Sequence, residues 1–328
     1  MATYKGIQGA TVQKLSTDLT AASGTVGQLW YNPTGSPTSA GAFKIIKEAG
    51  GAWSSGGTMS PAVTGAMSAG SQTASLVAGG SDATTKEYDG TTWTGGNDMN
   101  NAHPQTSGGG TQTAAWCQSG PAVTEFFDGS TWSDQPTSDN TNKAQRAGCG
   151  PQTSALLCGS EPLTTNAETY DGSTWTAITA YPRSQRGPEA VGGANTAVIV
   201  FGGDNPTDSG RTVIANSWDG SSWTSSPSLN TARFEFSSLG TSSTAAMALG
   251  GTINPSGRTA NVEEYDGSSW TEVADVSATS SQAAGTGTTT TGLWAFGNYG
   301  PSGSTNPGAS EEWTVSAGGP ETKTFTDS

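Results

Sequence analysis

One six-residue phrase, an aromatic residue followed by Asp-Gly-x-x-Trp, occurs five times in this chain of 328 residues. The copies begin at Tyr88, Phe127, Tyr170, Trp218 and Tyr265 and end at Trp93, Trp132, Trp175, Trp223 and Trp270. Asp-Gly supplies the positive φ angles of a tight turn, and the flanking Thr, Ser and aromatic residues favour strands, so each copy predicts a β-hairpin. The final Trp residues lie 39, 43, 48 and 47 positions apart, a period typical of stacked β units.

An apolar run ending in Gly-Gly or a close variant precedes each hairpin. These runs extend from Leu76 to Gly80, Ala115 to Gly120, Ala155 to Gly159, Ala197 to Gly203 and Ala245 to Gly251. Because they are apolar at consecutive positions, they predict strands buried on both faces. Another Gly-rich strand comes before each run, so every unit has four strands, a, b, c and d, and the phrase joins c to d.

The strand count predicts how the units close into one ring. A sixth b run occurs at Thr291 to Gly297, and a sixth c strand is expected at Glu311 to Val315, but no Asp-Gly-x-x-Trp follows it. An orphan d strand surrounds Trp53, 40 residues before Trp93. Pairing the two chain ends predicts an all-β, six-bladed β-propeller over residues 51–316, followed by a tail, 317–328.

Composition supports this fold and narrows the classes of partner. Charged residues make up 12% and there are 47 Gly, which favours short strands and turns, while 11 regularly spaced Trp argue against disorder. The net charge of −14 argues against bulk binding of nucleic acid or an anionic membrane. No run of 18 apolar residues and no secretory signal is visible, so we expect synthesis in the cytoplasm and no membrane insertion.

Residues 1–50 do not follow the repeat and are predicted to be an attachment segment. Residues 2–25 are polar with scattered apolar positions, which favours order only against a partner. Strands at Gln28 to Asn32 and Phe43 to Lys47 predict a β-hairpin leading into Trp53. Alternatively, these strands close the ring as a seventh, incomplete blade.

Two resemblances add to this interpretation. The Gly-Gly of strand b, the Tyr of strand c and the Trp of strand d resemble a kelch-type propeller repeat from about residue 53 to 315. The leader, Gly27-Gln28-Leu29-Trp30-Tyr31-Asn32 followed by Phe43-Lys44-Ile45 and Gly-x-Trp, resembles the virion-proximal ends of tail-fibre and related proteins of tailed bacteriophages. Together they are similar to structural proteins of marine phages.

These resemblances imply a non-enzymatic virion protein, associated with the tail, that docks to other virion proteins through residues 1–50. Leu29, Trp30, Tyr31 and Phe43 are the expected docking residues, and a homo-oligomer is compatible with a fibre-like leader. A capsid decoration protein without a receptor role is the alternative for the same sequence.

Basic residues recur in the d-to-a connections, which places them near one mouth of the central channel. They are His103, Arg146, Arg183, Arg186 and Arg233. The b-to-c loops emerge on the same face and vary in length, which is where recognition usually occurs on a rigid scaffold. We therefore predict binding of an anionic host-surface polysaccharide there, while simple tolerance of loop length remains the alternative.

Enzymatic activity is tested by the residues that chemistry requires. Kelch-type copper oxidases need several His ligands, and His103 is the single histidine. Six-bladed sialidases carry similar turns of the form Asp-x-Gly-x-x-Trp, one residue longer, and require an arginine cluster, a Tyr with a Glu partner and an acid at the ring centre. Glu189 and Glu235 could do acid–base work on a sugar, but each follows an Arg by two or three residues, and local ion pairs also explain them. We predict no catalytic residues and no cofactor, with a glycan-cleaving propeller as an alternative.

Metal binding and disulfides are not expected. The repeated acids Asp89, Asp128, Asp171, Asp219 and Asp266 each precede a turn Gly, where Asp accepts local backbone hydrogen bonds. Three Cys without a CxxC pair predict buried free thiols, although a bridge between Cys149 and Cys158 is conceivable.

Overall fold

A computed structural model describes residues 13–14, 29–32, 42–46, 50–80, 82–119, 123–138, 143–207, 210–254, 257–295, 297–299, 308–315 and 320–323. The chain divides into two compact units, one of Met1–Gly51 with Val315–Ser328 and one of Ala52–Thr314. Among these residues no helix has the length and apolarity needed to span a membrane.

Four strands come before the first complete blade. They are β1 (Gln13–Lys14), β2 (Leu29–Asn32), β3 (Ala42–Ile46) and β4 (Gly51–Ser55). Strands β2 and β3 pair antiparallel, with Leu29 opposite Ile45, and β1 pairs parallel to β2. Strand β4 belongs to the ring instead.

Five complete blades follow, each a four-stranded antiparallel sheet in the order a, b, c, d. Blade 1 consists of β5 (Met67–Ser71), β6 (Ala74–Ala78), β7 (Thr85–Tyr88) and β8 (Trp93–Gly95). Blade 2 consists of β9 (Ser107–Thr111), β10 (Ala114–Gln118), β11 (Thr124–Phe127) and β12 (Trp132–Gln135). Blade 3 consists of β13 (Ala147–Cys149), β14 (Ala155–Cys158), β15 (Ala167–Tyr170) and β16 (Trp175–Ala177).

Blades 4 and 5 each carry a two-stranded ribbon in the b-to-c loop. Blade 4 has β17 (Glu189–Ala194) and β18 (Ala197–Phe201), the ribbon β19 (Asp204–Asn205) and β20 (Gly210–Arg211), then β21 (Ala215–Trp218) and β22 (Trp223–Ser226). Blade 5 has β23 (Ser237–Ser242) and β24 (Ala245–Leu249), the ribbon β25 (Thr252–Asn254) and β26 (Gly257–Arg258), then β27 (Val262–Tyr265) and β28 (Trp270–Glu272). The sequence predicted these loops to be long but not that they form ribbons.

The sixth blade confirms the predicted closure. After the short strand β29 (Ser280–Ser281), β30 (Ala284–Gly287), β31 (Thr291–Ala295) and β33 (Ser310–Val315) are completed by β4, while β32 (Asn298–Tyr299) pairs with β29. Trp53 lies with its ring centroid 5.1 Å from that of Trp313. The sequence therefore predicted both the number of blades and the strand that closes the ring.

The leader strands do not add a seventh blade. The last strand, β34 (Pro320–Lys323), pairs antiparallel with β3, so the terminal sheet has the order β1-β2-β3-β34. Residues after 316, which the sequence suggested to be a simple tail, thus supply one strand of this sheet.

Each repeated Trp joins its own blade to the preceding one. The indole N–H donates to an oxygen of the preceding blade or of the connection that follows it. The pairs are Trp93 to Ser310, Trp132 to Thr85, Trp175 to Thr124, Trp223 to Thr179, Trp270 to Pro227 and Trp53 to Ala274. Because Trp53 makes the bond expected of the sixth copy, the repeat continues across the two ends of the chain.

The core is formed between the blades, as the apolar b runs predict. Strand β18 buries Val198, Ile199, Val200 and Phe201 completely, and every b strand is apolar on both faces. At roughly 25 cal/mol per Å² of apolar surface removed from water, these six strands are the main source of stability. Cys117, Cys149 and Cys158 lie buried and unbridged in this core, which confirms free thiols.

Candidate functional site

Six residues with left-handed backbone surround one mouth of the ring. Each lies two residues before an inner strand, and their φ angles run from 50° to 63°. They are Gly65, Gln105, Gln145, Gly187, Glu235 and Gln282. Four of the six carry a side chain in a conformation that favours glycine, at a cost of about 1 kcal/mol or more each. Two blades have Gly at this position, so the turn itself does not require a side chain. The presence of side chains in the other four blades therefore calls for another explanation.

Backbone hydrogen bonds join these connections from blade to blade. The bonds run from Thr106 N to Gly65 O, Gln145 N to Gln105 O, Gly187 N to Gln145 O, Gln282 N to Glu235 O and Gly65 N to Gln282 O. Gly187 is required by packing as well, since a Cβ there would lie 2.7 Å from the ring of Phe234. The mouth therefore has a rigid backbone frame that fixes where the four side chains start.

Glu235 is the centre of a polar cluster at this mouth. Its Oε1 accepts hydrogen bonds from Nε2 of Gln282 (2.8 Å) and Nε2 of Gln145 (3.2 Å). Gln145 precedes blade 3 and Glu235 precedes blade 5, so their contact reaches across the connection that holds Gly187. Burial raises the pKa of Glu235, and the bond from Gln282 and nearby arginines oppose that rise.

Three arginines lie close enough to Glu235 to lower its pKa: Arg186, Arg258 and Arg211. Arg258 lies on the blade 5 ribbon and donates through Nε to Ser281 Oγ (2.8 Å). Arg211 lies on the blade 4 ribbon, and in the described part of the chain its guanidinium has no acidic partner within 4 Å. Its Nε is buried there without a hydrogen-bond acceptor. A cationic group with an unsatisfied donor is an incomplete arrangement that an anion would complete.

Three of the five predicted binding residues are buried and therefore do not line this surface. His103 contacts Glu125 (2.9 Å), Arg146 contacts Glu168 (2.8 Å) and Arg233 contacts Glu263 (2.6 Å). His103 and Arg233 are 0% exposed and Arg146 is 6% exposed. The sequence placed these residues correctly in the d-to-a connections, but each side chain turns into its own blade and contacts a buried carboxylate of strand c.

The other two predicted residues, Arg183 and Arg186, are partly accessible. Arg186 bonds Glu161 and Asp204, both at 3.1 Å, and its guanidinium lies 5.2 Å from the centre of the Phe234 ring. The local pairs expected from the sequence are therefore wrong. Arg186 pairs with the b-to-c loops rather than Glu189, and Arg233 pairs with strand c rather than Glu235.

A periodic signal in the sequence marks the buried partners of these basic residues. The residue two positions before the aromatic of each phrase is polar in all six blades: Lys86, Glu125, Glu168, Asn216, Glu263 and Glu311. Aligning the c strands would have paired the basic connections with this column. No comparable signal marks the glutamines, because a left-handed backbone at a residue other than glycine leaves no pattern in the sequence. Arg211 is not marked either, because the strands of its ribbon have only two residues each.

The predicted docking residues lie on the terminal sheet. Leu29, Trp30 and Tyr31 belong to β2 and Phe43 to β3, with Tyr31 opposite Phe43. Their side chains lie outside the described part of the structure, so the docking role remains a prediction.

The repeated aspartates act within their turns. Asp171 Oδ1 accepts the backbone N–H of Ser173 (2.8 Å) and of Thr174 (2.9 Å). These bonds and the Ser173 hydroxyl lower its pKa to about 2. Across the described ranges, no three His, Cys, Asp or Glu residues are grouped as metal ligands.

Comparison with known proteins supports the fold and no finer assignment. No family model matches this sequence, and no curated protein matches it. Solved structures match in 433 chains. One of them, described as "Structure of YjhT", shares 9% identity with a TM-score of 0.63 and covers 81% of this chain and 99% of its own. Because propellers serve many unrelated functions, this likeness shows the six-bladed ring alone.

Proposed function

We propose that this chain is a non-enzymatic, tail-associated virion protein whose propeller mouth binds an acidic polysaccharide of the host surface. The observation that carries the binding role is Arg211, which lies near Glu235 and whose guanidinium has no acidic partner within 4 Å among the described residues. The virion role is supported by the leader and repeat, which resemble those of phage structural proteins.

The chemistry of the mouth suits an acidic sugar polymer. A guanidinium presents donors in a planar fork that matches a carboxylate or a sulfate. The amides of Gln145 and Gln282 and the carboxylate of Glu235 offer both donors and acceptors to sugar hydroxyls. These groups are fixed by the backbone frame, so less conformational freedom is lost when a ligand binds.

Attachment and recognition would then reside in different parts of the chain. Residues 1–50 dock to other virion proteins, and the propeller mouth remains available to the host. Labelling the chain in intact particles by cryo-electron microscopy tests this role. Density on the head would favour the decoration role, and absence from the particle would refute a virion role.

The raised pKa of Glu235 favours one alternative, a glycan-cleaving propeller. Burial raises the pKa of Glu235, and a raised pKa brings a carboxyl group closer to the protonated form that a general acid requires. Release of reducing ends from an acidic polysaccharide, lost in Glu235→Ala, would support that activity. We expect no release, because Glu235 is engaged by two amides and is surrounded by binding groups.

Binding is tested with three polysaccharides of matched size: alginate, which carries carboxylates, dextran sulfate, and neutral dextran. We expect the full chain to bind an acidic polymer and not dextran. Arg211→Ala should weaken binding at least tenfold, and Arg211→Lys should recover only part of it, since lysine lacks the planar fork. Lys143→Ala is the control for the loss of one positive charge, because Lys143 lies on a d-to-a connection and, in the described part of the chain, makes no bond to Glu235. Equal affinity of Arg211→Ala and the unchanged chain would refute the proposal.

A further inference from the structure

A cavity of about 300 Å³ runs along the axis of the ring, between the inner strands of all six blades. Glycine, alanine and serine dominate its walls, because neighbouring inner strands approach closely. A Cβ on Gly109, for example, would lie 2.7 Å from the carbonyl oxygen of Gly150 in the next blade. The cavity is therefore long and narrow, with walls formed largely by backbone.

Among the described residues that line these walls, Glu189 is the one carboxylate. It is the first residue of β17, and the other inner strands begin with apolar or small residues at the same position. Those residues are Met67, Ser107, Ala147, Ser237 and Ala284. The repeat therefore does not require an acid at this point of the ring.

The carboxylate of Glu189 is much less satisfied than the buried acids of the c strands. It accepts one hydrogen bond, from Ser238 Oγ (2.9 Å), and within the described ranges it has no ion pair. Glu263, by contrast, accepts from Arg233 and from the backbone N–H groups of Asn230 and Thr231. A carboxylate can accept about four hydrogen bonds. Glu189 can therefore accept further hydrogen bonds from a group that lies in the cavity.

The groups around Glu189 do not supply a positive charge. Desolvation raises its pKa to about 7. Cys149 of blade 3 lies nearby, and burial raises the pKa of that thiol, so it is neutral. Ser238 of blade 5 is neutral as well. The other charged wall residue, Arg146, is bound to Glu168 at 2.8 Å.

We propose that the axial cavity binds a small primary ammonium ion, with its head on Glu189 and its unbranched alkyl chain along the glycine-rich wall. An ammonium group has three donors and a positive charge, which match an accessible acid and the backbone carbonyls around it. A multivalent metal would need several acidic or histidine ligands, and Glu189 provides one. This proposal does not rest on the polysaccharide site at the mouth, although the two sites adjoin.

Isothermal titration calorimetry on the full chain at pH 7.5 tests the site with n-butylammonium chloride. The comparisons are n-butanol, which has a similar shape without charge, and potassium chloride, which has charge without donors. We expect heat of binding from n-butylammonium alone, with a dissociation constant at least tenfold higher in Glu189→Gln. Glu189→Ala is a second variant. Alanine occupies the same position in blades 3 and 6, so we expect this variant to fold. Glu87→Gln, on strand c of blade 1, is the matched control.

Proton release adds a readout that a general effect on folding would not produce. Binding of a cation should ionise the part of Glu189 that is protonated, so the measured heat should depend on the ionisation enthalpy of the buffer. Absence of binding to the unchanged chain, equal affinity in both Glu189 variants, or an equal response to potassium would each overturn the proposal.

Discussion

The c–d hairpins and the mouth of the ring use polar residues in opposite ways. In each hairpin the turn aspartate is satisfied by its own turn, and the buried polar residue of strand c is bound to the connection of the same blade. At the mouth and along the axis, and counting only residues whose placement is described, Arg211 has no acidic partner and Glu189 accepts one hydrogen bond. The repeat therefore explains the polar groups that stabilise the ring, and departures from the repeat mark the candidate sites.

The largest expected change in the free energy of unfolding concerns the buried pairs between strand c and its connection. Arg233→Met removes the partner of Glu263 (2.6 Å) and leaves a buried carboxylate unpaired, which should lower the free energy of unfolding by about 3–5 kcal/mol. Urea denaturation measures this loss. Arg233→Met combined with Glu263→Leu should recover part of it, because the unpaired charge is removed while the backbone N–H groups of Asn230 and Thr231 lose their acceptor. A double variant as unstable as the single one would contradict the role of the pair.

A smaller effect of opposite sign is expected at the axis. Glu189 has its pKa raised from 4.5 to about 7, so between these values the folded chain keeps a proton that the unfolded chain has lost. The free energy of unfolding contributed by this group therefore falls as pH rises through that window. With allowance for water in the cavity, Glu189→Gln should gain roughly 1–2 kcal/mol over the unchanged chain at pH 8. Denaturation curves at pH 4.5 and pH 8 check this, and an equal difference at both values would contradict it.

The next largest change in the free energy of unfolding is expected from relief of backbone strain at the mouth. Gln105 has a φ of 50° at a position where blades 1 and 4 have Gly65 and Gly187. Gln105→Gly should therefore raise the free energy of unfolding by about 0.5–1 kcal/mol. Glu235→Gly should relieve the same strain but weaken polysaccharide binding. Parallel thermal melts and binding assays separate the two, and unchanged binding in Glu235→Gly would remove Glu235 from the site.

The smallest effect concerns the turns. Asp171 has its pKa lowered from 3.8 to about 2, so its contribution to stability is complete above its ordinary pKa and is lost as pH falls towards 2. Asp171→Asn should be slightly less stable at neutral pH and should lose less stability on acidification. Thermal melts between pH 2 and pH 6 measure this, and parallel curves for the two chains would contradict it.

The sequence predicted the number of blades and their closure, because the spacing of the repeat determines both. The phrase ending in Trp, counted across both chain ends, was enough to place Trp53 in the last blade. It did not reveal the partners of Arg186 and Arg233, since nearness in sequence suggested Glu189 and Glu235 while the sheet register supplied Asp204 and Glu263. The ribbon that presents Arg211 could not be predicted either, because its two-residue strands are too short for a periodic pattern.

Hydrogen–deuterium exchange of the full chain, with and without an alginate oligosaccharide, tests most directly whether recognition occurs where the repeat is broken. We predict slower exchange in the connections around Gln145, Glu235 and Gln282 and in the ribbon of Arg211, with unchanged exchange in the c–d hairpins. Protection confined to the hairpins or to the leader strands, with none at the mouth, would contradict this account.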